Sequence, residues 1–130
     1  MQTRAIESTT MGMRKLAIAA LLSLAGAVAA YAHAHLDRAT PAAGATVATA
    51  PSEATLHFTE RLEPQFSTVV VRDAAGLQVD KRDVRLDDAD RSTLRVSLEP
   101  LGPGQYKVEW RVVSVDSHAS KGDYSFRVSK

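Results

Sequence analysis

Beyond residue 54, apolar side chains alternate with polar ones in short segments that end at glycine, proline or aspartate. The longest of these segments covers residues 105–115, with Tyr106, Val108, Trp110 and Val112 on one face and charged side chains on the other. A period of two is the period of a β-strand, because a helix would need apolar residues every three or four positions. The alternation therefore restricts the chain after residue 32 to β structure, and no helical stripe is present there.

The segments and their turns predict an all-β fold. Strands are expected at Thr55–Thr59, Ser67–Arg72, Leu77–Asp83, Thr93–Leu98, Gln105–Val115 and Asp123–Ser129. With the extended chain before residue 55, about seven short strands favour a small antiparallel β-sandwich or Greek-key barrel, Ig-like or cupredoxin-like. Trp110 is expected at the centre of the core, and the acidic residues 87–90 are expected to form a solvated turn.

The N-terminal segment has the layout of a cleavable signal peptide. Arg14 and Lys15 precede an apolar run, residues 16–32, which is rich in alanine and leucine. The run is short for a membrane span of about 20 residues, although an uncleaved anchor is the alternative. No Arg-Arg pair precedes it, which favours the general secretory route. We therefore assign residues 1–32 to a signal peptide and residues 33–130 to one exported domain.

Two cleavage frames place a histidine at the new N-terminus. Small residues at positions −3 and −1 occur as Ala30 and Ala32, which would leave His33 first. They also occur as Ala32 and Ala34, which would leave His35 first. From the cleavage pattern alone, both frames stay open.

Charge and sulfur content exclude several classes of function. Loss of Arg4, Arg14, Lys15 and Glu7 with the leader changes the formal net charge from +1 to −1, which gives no reason to expect nucleic acid as a partner. Cysteine is absent and the three methionines all lie within residues 1–13. Disulfides, blue-copper centres and iron–sulfur clusters are therefore excluded from the mature chain, which we expect to be a monomer.

An N-terminal histidine has unusual ligand chemistry. Its α-amino group and its imidazole Nδ1 can close a chelate ring on one metal ion, so that His33 would supply two ligands. His118 would add a third nitrogen, and Asp116 lies two residues earlier, on the same side of an extended backbone. Nitrogen and oxygen donors in a tetragonal set favour Cu(II), which also leads the divalent affinity order. Without a metal, Asp116 would simply cap a turn beside a solvated His118.

The other two histidines carry less information. His57 alternates with Leu56 and Phe58, which places it on the outer surface of a sheet. His35 is a candidate ligand, a second-shell residue or simply exposed.

The order of motifs along the mature chain resembles the CopC-type periplasmic copper-resistance proteins. The resemblance rests on the segments HAHL, TPAAG, TLHFTE, GQYKVEWRVVS and DSHASKGDYSF. It implies a seven-stranded β-sandwich with one Cu(II) ion held by the amino group and imidazole of His33, with Asp116 and His118. It also favours cleavage before His33, and it suggests Glu60 as a carboxylate that orients His33.

Two departures from the family pattern refine this expectation. Members that also bind Cu(I) have a methionine-rich loop, whereas residues 73–90 contain no methionine, so the chain resembles the Cu(II)-only kind. Ala119 stands where proline is common, which should loosen the loop without removing a ligand.

The function expected from these features is non-enzymatic. The mature protein would sequester or deliver copper, and an inner-membrane permease of the CopD type or another periplasmic copper protein would act in trans. One alternative is a copper-dependent oxidative enzyme with a histidine brace. The other is a metal-free β-sandwich used for interaction.

Overall fold

The structure is a computed structural model that describes residues 33–130, so the predicted signal peptide lies outside the described residues. This part of the chain consists of strands and one short 3₁₀ helix, Pro64–Phe66. No helix within it has the length and apolarity needed to cross a membrane. The strands are β1 (Leu36–Thr40), β2 (Thr46–Val47), β3 (Glu53–Phe58), β4 (Thr68–Asp73), β5 (Arg85–Leu86), β6 (Thr93–Ser97), β7 (Gly104–Val113) and β8 (Ala119–Val128).

The strands form two four-stranded sheets that enclose one core. The first sheet has the order β1-β3-β6-β5 and the second has the order β2-β8-β7-β4. All pairs are antiparallel except β2 with β8, a parallel pair of only two residues. The predicted all-β sandwich is confirmed. It has eight strands instead of about seven, and two of them, β2 and β5, are only two residues long, too short for the alternation of side chains to predict them.

The core forms where the inward faces of the two sheets meet. Alternate residues of the central strands are fully buried, for example Leu56 and Phe58 from the first sheet and Val108 and Val112 from the second. Trp110 packs edge-to-face on Phe58, with ring centroids 5.1 Å apart, and links the two sheets. Trp110 is only partly buried, so it lies at the margin of the core and not at its centre as predicted.

Glycine at position 122 leaves room for this indole. Gly122 lies directly opposite Trp110 in the β7–β8 ladder. A Cβ atom at that position would overlap the six-membered ring of Trp110. The pairing of the largest side chain in the protein with the smallest one therefore places the indole over the neighbouring strand.

The prediction of a strand over residues 77–83 is wrong. Only isolated bridges form there, from Gln78 to Arg72 in β4 and from Asp80 to Leu98 beside β6, so the segment crosses from one sheet to the other. Asp80 is 5% exposed, and its carboxylate accepts hydrogen bonds from the backbone N–H groups of Val71 and Arg82. A buried carboxylate with these partners holds the crossing segment, which alternation alone does not reveal.

Candidate metal centre

A five-residue turn, residues 114–118, joins the two longest strands and carries two of the predicted ligands. It closes with hydrogen bonds from the Ser114 N–H to the His118 carbonyl, 3.0 Å, and from the Ser117 N–H to the Ser114 carbonyl, 2.9 Å. Ser117 has φ 73°, a left-handed conformation that is uncommon for residues other than glycine. The turn therefore sets Asp116 and His118 on either side of one constrained residue.

Ser114 holds this turn from inside the protein. Its side chain is buried at 1% exposure, and its hydroxyl donates a short hydrogen bond to Oδ1 of Asp116. The Ser114 hydroxyl and, after it, the neighbouring His118 imidazole hold the pKa of the Asp116 carboxyl below its usual range. Sequence reasoning missed Ser114; the only available signal was a hydroxyl two residues before the aspartate.

The turn is docked on the chain that leaves β3. The N–H of Val115 donates to the carbonyl of Arg61, 3.0 Å, and the fully buried Leu62 forms a bridge with Ser114. The N–H of Glu63 donates to the carbonyl of Val113, 2.8 Å. The turn that carries Asp116 and His118 is thus tied by backbone hydrogen bonds to the segment that leads from β3 in the first sheet to β4 in the second.

The first described residues are anchored at the same end of the molecule. Ala34 is fully buried in the core. The backbone of His35 bonds to Thr59 in both directions: its N–H donates to the Thr59 hydroxyl, and its carbonyl accepts from the Thr59 N–H, each at 2.9 Å. With the next two residues held in this way, His33 is placed at the surface beside the turn.

The imidazoles of His33 and His118 lie together. Their ring centroids are 5.0 Å apart, with an interplanar angle of 67°. When two imidazoles bind one metal ion at about 2.0 Å, each ring centre lies about 3 Å from the ion and the two centres lie about 4–6 Å apart. The observed separation of these rings, 85 positions apart in sequence, falls within that range.

Asp116 and His118 are also spaced as two ligands of one ion would be. Oδ1 of Asp116 and Nδ1 of His118 are 3.1 Å apart. Nδ1 is nevertheless a buried atom without a hydrogen-bond partner among residues 33–130. A nitrogen and an oxygen bound to one ion lie about 2.9–3.4 Å apart. The orphaned nitrogen and the ionised carboxylate therefore fit a shared cation.

Other predicted residues are not gathered around this point. Within the described part of the chain, no group of three or more His, Cys, Asp or Glu side chains is close enough to hold a metal ion, so His33, Asp116 and His118 approach one another in pairs and not as a complete three-residue group. Glu60 makes no side-chain hydrogen bond or ion pair with another residue described by the structure, so its orienting role stays a prediction. His35 takes part through its backbone alone. In the 130-residue chain, the nitrogen of His33 is still a peptide nitrogen.

Comparison with protein families gives a direct match. A model of the CopC domain matches residues 36–129, which include both strands that flank the turn. The chain belongs to the CopC family. Asp116 and His118 lie within the matched CopC domain, whereas His33 and His35 precede its first residue.

Curated relatives of the chain match over most of their own length. Protein YobA of Escherichia coli K12 is 40% identical over 99 residues, which cover 75% of this chain and 80% of that protein. Copper resistance protein C of Pseudomonas syringae pv. tomato is 37% identical over 105 residues, covering 76% of this chain and 82% of the relative. Membership of the CopC family is thus supported by full-length relatives as well as by the domain match.

Solved CopC structures share the fold. CopC from Methylosinus trichosporium OB3b superimposes with a TM-score of 0.70 at 31% identity, over 75% of this chain and 94% of the other. PcoC, a methionine-rich copper resistance protein from E. coli, superimposes with a TM-score of 0.68 at 34% identity, over 75% and 100%. The superpositions and identities together show that the chain has the CopC-type fold.

Proposed function

We propose that the mature protein is a periplasmic carrier or buffer for Cu(II), with one ion per chain. The amino group and imidazole of His33, the carboxylate of Asp116 and an imidazole nitrogen of His118 would be the ligands. The observation that carries this proposal is the 5.0 Å approach of the His33 and His118 rings, beside a carboxylate 3.1 Å from an unpartnered ring nitrogen.

The donor set selects for Cu(II). Three nitrogens and a carboxylate oxygen suit a tetragonal cupric ion, and Cu(II) is bound most tightly among the divalent ions of its row. Sulfur donors for Cu(I) are absent after residue 13. PcoC is described as methionine-rich, so this chain would differ from it by handling the oxidised ion alone. Two relatives are named copper resistance protein C, and this name supports copper as the ion that is bound.

The site depends on export. The His33 nitrogen becomes an amine only when the signal peptide, residues 1–32, is removed, so copper binding would begin in the periplasm. The side chains of Asp116 and His118 are 50% and 44% exposed, which leaves the ion open to transfer. A permease of the CopD type or another periplasmic copper protein would receive or supply it in trans. Binding and release need no catalytic step, so the role is non-enzymatic.

The test compares two proteins that differ only at the N-terminal amine. Processed protein that begins at His33 is titrated with Cu(II) against a competing chelator, beside the same protein with its N-terminal amine acetylated. Acetylation leaves every side chain of the proposed site in place and converts the amine of His33 into an amide. We expect the affinity to fall by at least a hundredfold and the Cu(II) spin-resonance signal to lose nitrogen coupling. Equal affinities would exclude the amine from the site and refute the proposal.

A further inference from the structure

A second histidine is held in an ordered polar network on the outer face of the first sheet. His57, on β3, has its Nδ1 2.9 Å from the hydroxyl of Thr93 and 3.0 Å from Oδ2 of Asp90. The Thr93 hydroxyl in turn donates to the same Asp90 oxygen, at 2.9 Å. The side chain of His57 retains 21% exposure, so the ring is held by the protein and still reaches solvent.

The hydrogen bonds leave one consistent position for the ring proton. Asp90 is an ionised acceptor, since the Ser92 N–H and the Thr93 hydroxyl hold the pKa of its carboxyl low. The only proton of the Thr93 hydroxyl is used on Asp90, so its oxygen can only accept from His57. Nδ1 of His57 must therefore carry a proton, and in the neutral ring the lone pair is on Nε2.

That lone pair faces another carboxylate. Oδ2 of Asp37 lies 3.8 Å from Nε2 of His57. Asp37 occupies an irregularity in the pairing of β1 with β3, between the positions where Leu36 and Arg38 are paired. Such bulges redirect a side chain away from its regular position. When the ring is neutral, two electron-rich atoms face each other here, and a cation between them would relieve their repulsion.

We propose that Nε2 of His57 and the carboxylate of Asp37 form a second, weaker site for a borderline divalent metal ion such as Zn(II). A metal-binding histidine commonly donates its other ring N–H to a carboxylate, and Asp90 occupies that position here. Ligands on one ion lie about 2.9–3.4 Å apart, so Asp37 must move by about half an ångström. Its side chain is 52% exposed and is held by an ion pair with Arg38.

The local charges determine how strong this site is. Nη1 of Arg38 lies 3.4 Å from the same Asp37 oxygen, and an entering ion has to displace it. The Arg38 side chain is 70% exposed, and an ion pair at such a position contributes little to stability. With two protein ligands and water in the remaining positions, the site is expected to be much weaker than a chelate that includes the chain terminus. It uses none of the residues of the proposed Cu(II) centre and does not rest on it.

The test removes the first site and follows Zn(II) at the second. The protein with an acetylated N-terminus at His33 also carries His118→Ala, and imidazole ¹⁵N resonances are recorded during titration with Zn(II). We expect the Nε2 resonance of His57 to shift while its protonated Nδ1 is retained. His57→Gln or Asp37→Asn in the same background should each weaken Zn(II) binding at least tenfold, and His35→Gln should leave it unchanged.

Two results would overturn this inference. The first is a His57 ring that carries protons on both nitrogens at neutral pH and does not respond to Zn(II), which would make it an imidazolium held between two aspartates. The second is unchanged Zn(II) affinity after Asp37→Asn. That exposed substitution does not threaten the fold, so the result would be informative even if His57→Gln were poorly folded.

Discussion

Ser114→Ala tests whether the buried hydroxyl under the turn prepares the proposed copper ligands. The substitution removes the hydrogen bond to Oδ1 of Asp116 and the contact with the His118 carbonyl, at 3.2 Å. Loss of a partner that orients a metal ligand weakens binding by about 10- to 100-fold. Because the Asp116 side chain is 50% exposed, water replaces part of the lost interaction. We therefore expect the lower end, about a tenfold loss of Cu(II) affinity.

The same substitution also affects folding, so a matched control is needed. Ser114 is 1% exposed, and loss of its hydrogen bonds should lower the free energy of unfolding by about 1–2 kcal/mol. Ser67 is 4% exposed; its hydroxyl donates to the Glu63 carbonyl, 2.8 Å, and accepts from the Val113 N–H, 3.2 Å. Ser67→Ala should therefore cost similar stability without touching either ligand.

Two measurements separate positioning from folding. Unfolding in urea, followed by the fluorescence of the single tryptophan, should show comparable losses for Ser114→Ala and Ser67→Ala. Chelator competition should show weaker Cu(II) binding for Ser114→Ala alone, with an altered spin-resonance spectrum because the Asp116 oxygen is less well oriented. If both variants bind Cu(II) as tightly as the processed wild-type protein, the hydroxyl has no role in preparing the site.

Three further predictions concern the fold. Gly122→Ala should lower the free energy of unfolding by about 1–3 kcal/mol, because the new Cβ overlaps the Trp110 ring; a urea titration without this loss would mean that the indole can move freely. Asp80→Ala should cost about 2–4 kcal/mol in the same assay, since it leaves two backbone N–H groups unpaired, and Asp80→Asn should cost about half. The Arg95 guanidinium is the main cause of the lowered pKa of the Asp87 carboxyl. The ion pair of Asp87 with Arg95 should therefore add to the free energy of unfolding above about pH 3.8, and this contribution should disappear as the pH falls further. In urea titrations at a series of pH values, loss of this contribution between about pH 6 and 5 would contradict the prediction.

The alternation of apolar and polar side chains correctly predicted the strands that have one face on the core and one face in solvent. β6 was expected at Thr93–Leu98 and spans Thr93–Ser97, because its inward residues meet a core on one face only. β1 lies in the part of the chain that was expected only to be extended, since Leu36–Thr40 shows no alternation of apolar and polar side chains. Its strand conformation comes from antiparallel pairing with β3. This pairing is between residues far apart in sequence, so the local pattern of side chains does not predict it.

Residues that lie close together in sequence could be predicted to act together, whereas groups that only folding brings together could not. Asp116 and His118 stand two positions apart, so their pairing was visible in the sequence. The contacts of His57 could not be predicted from the sequence, because its partners Asp37 and Asp90 come from a bulge in another strand and from a loop. That acidic loop, read as solvated, instead holds Asp90 in a hydrogen-bonded network.

The burial of Ala34 bears on where the predicted signal peptide would be cut. A protein that begins at His35 would lose a fully buried core residue together with the ring that lies beside His118. It would also place a charged amine where the His35 N–H now donates to the Thr59 hydroxyl. Cleavage before His33 keeps all of these contacts and exposes only the amine. Mass spectrometry of the secreted protein should therefore find His33 first, and a mature chain that starts at His35 would refute the argument from Ala34.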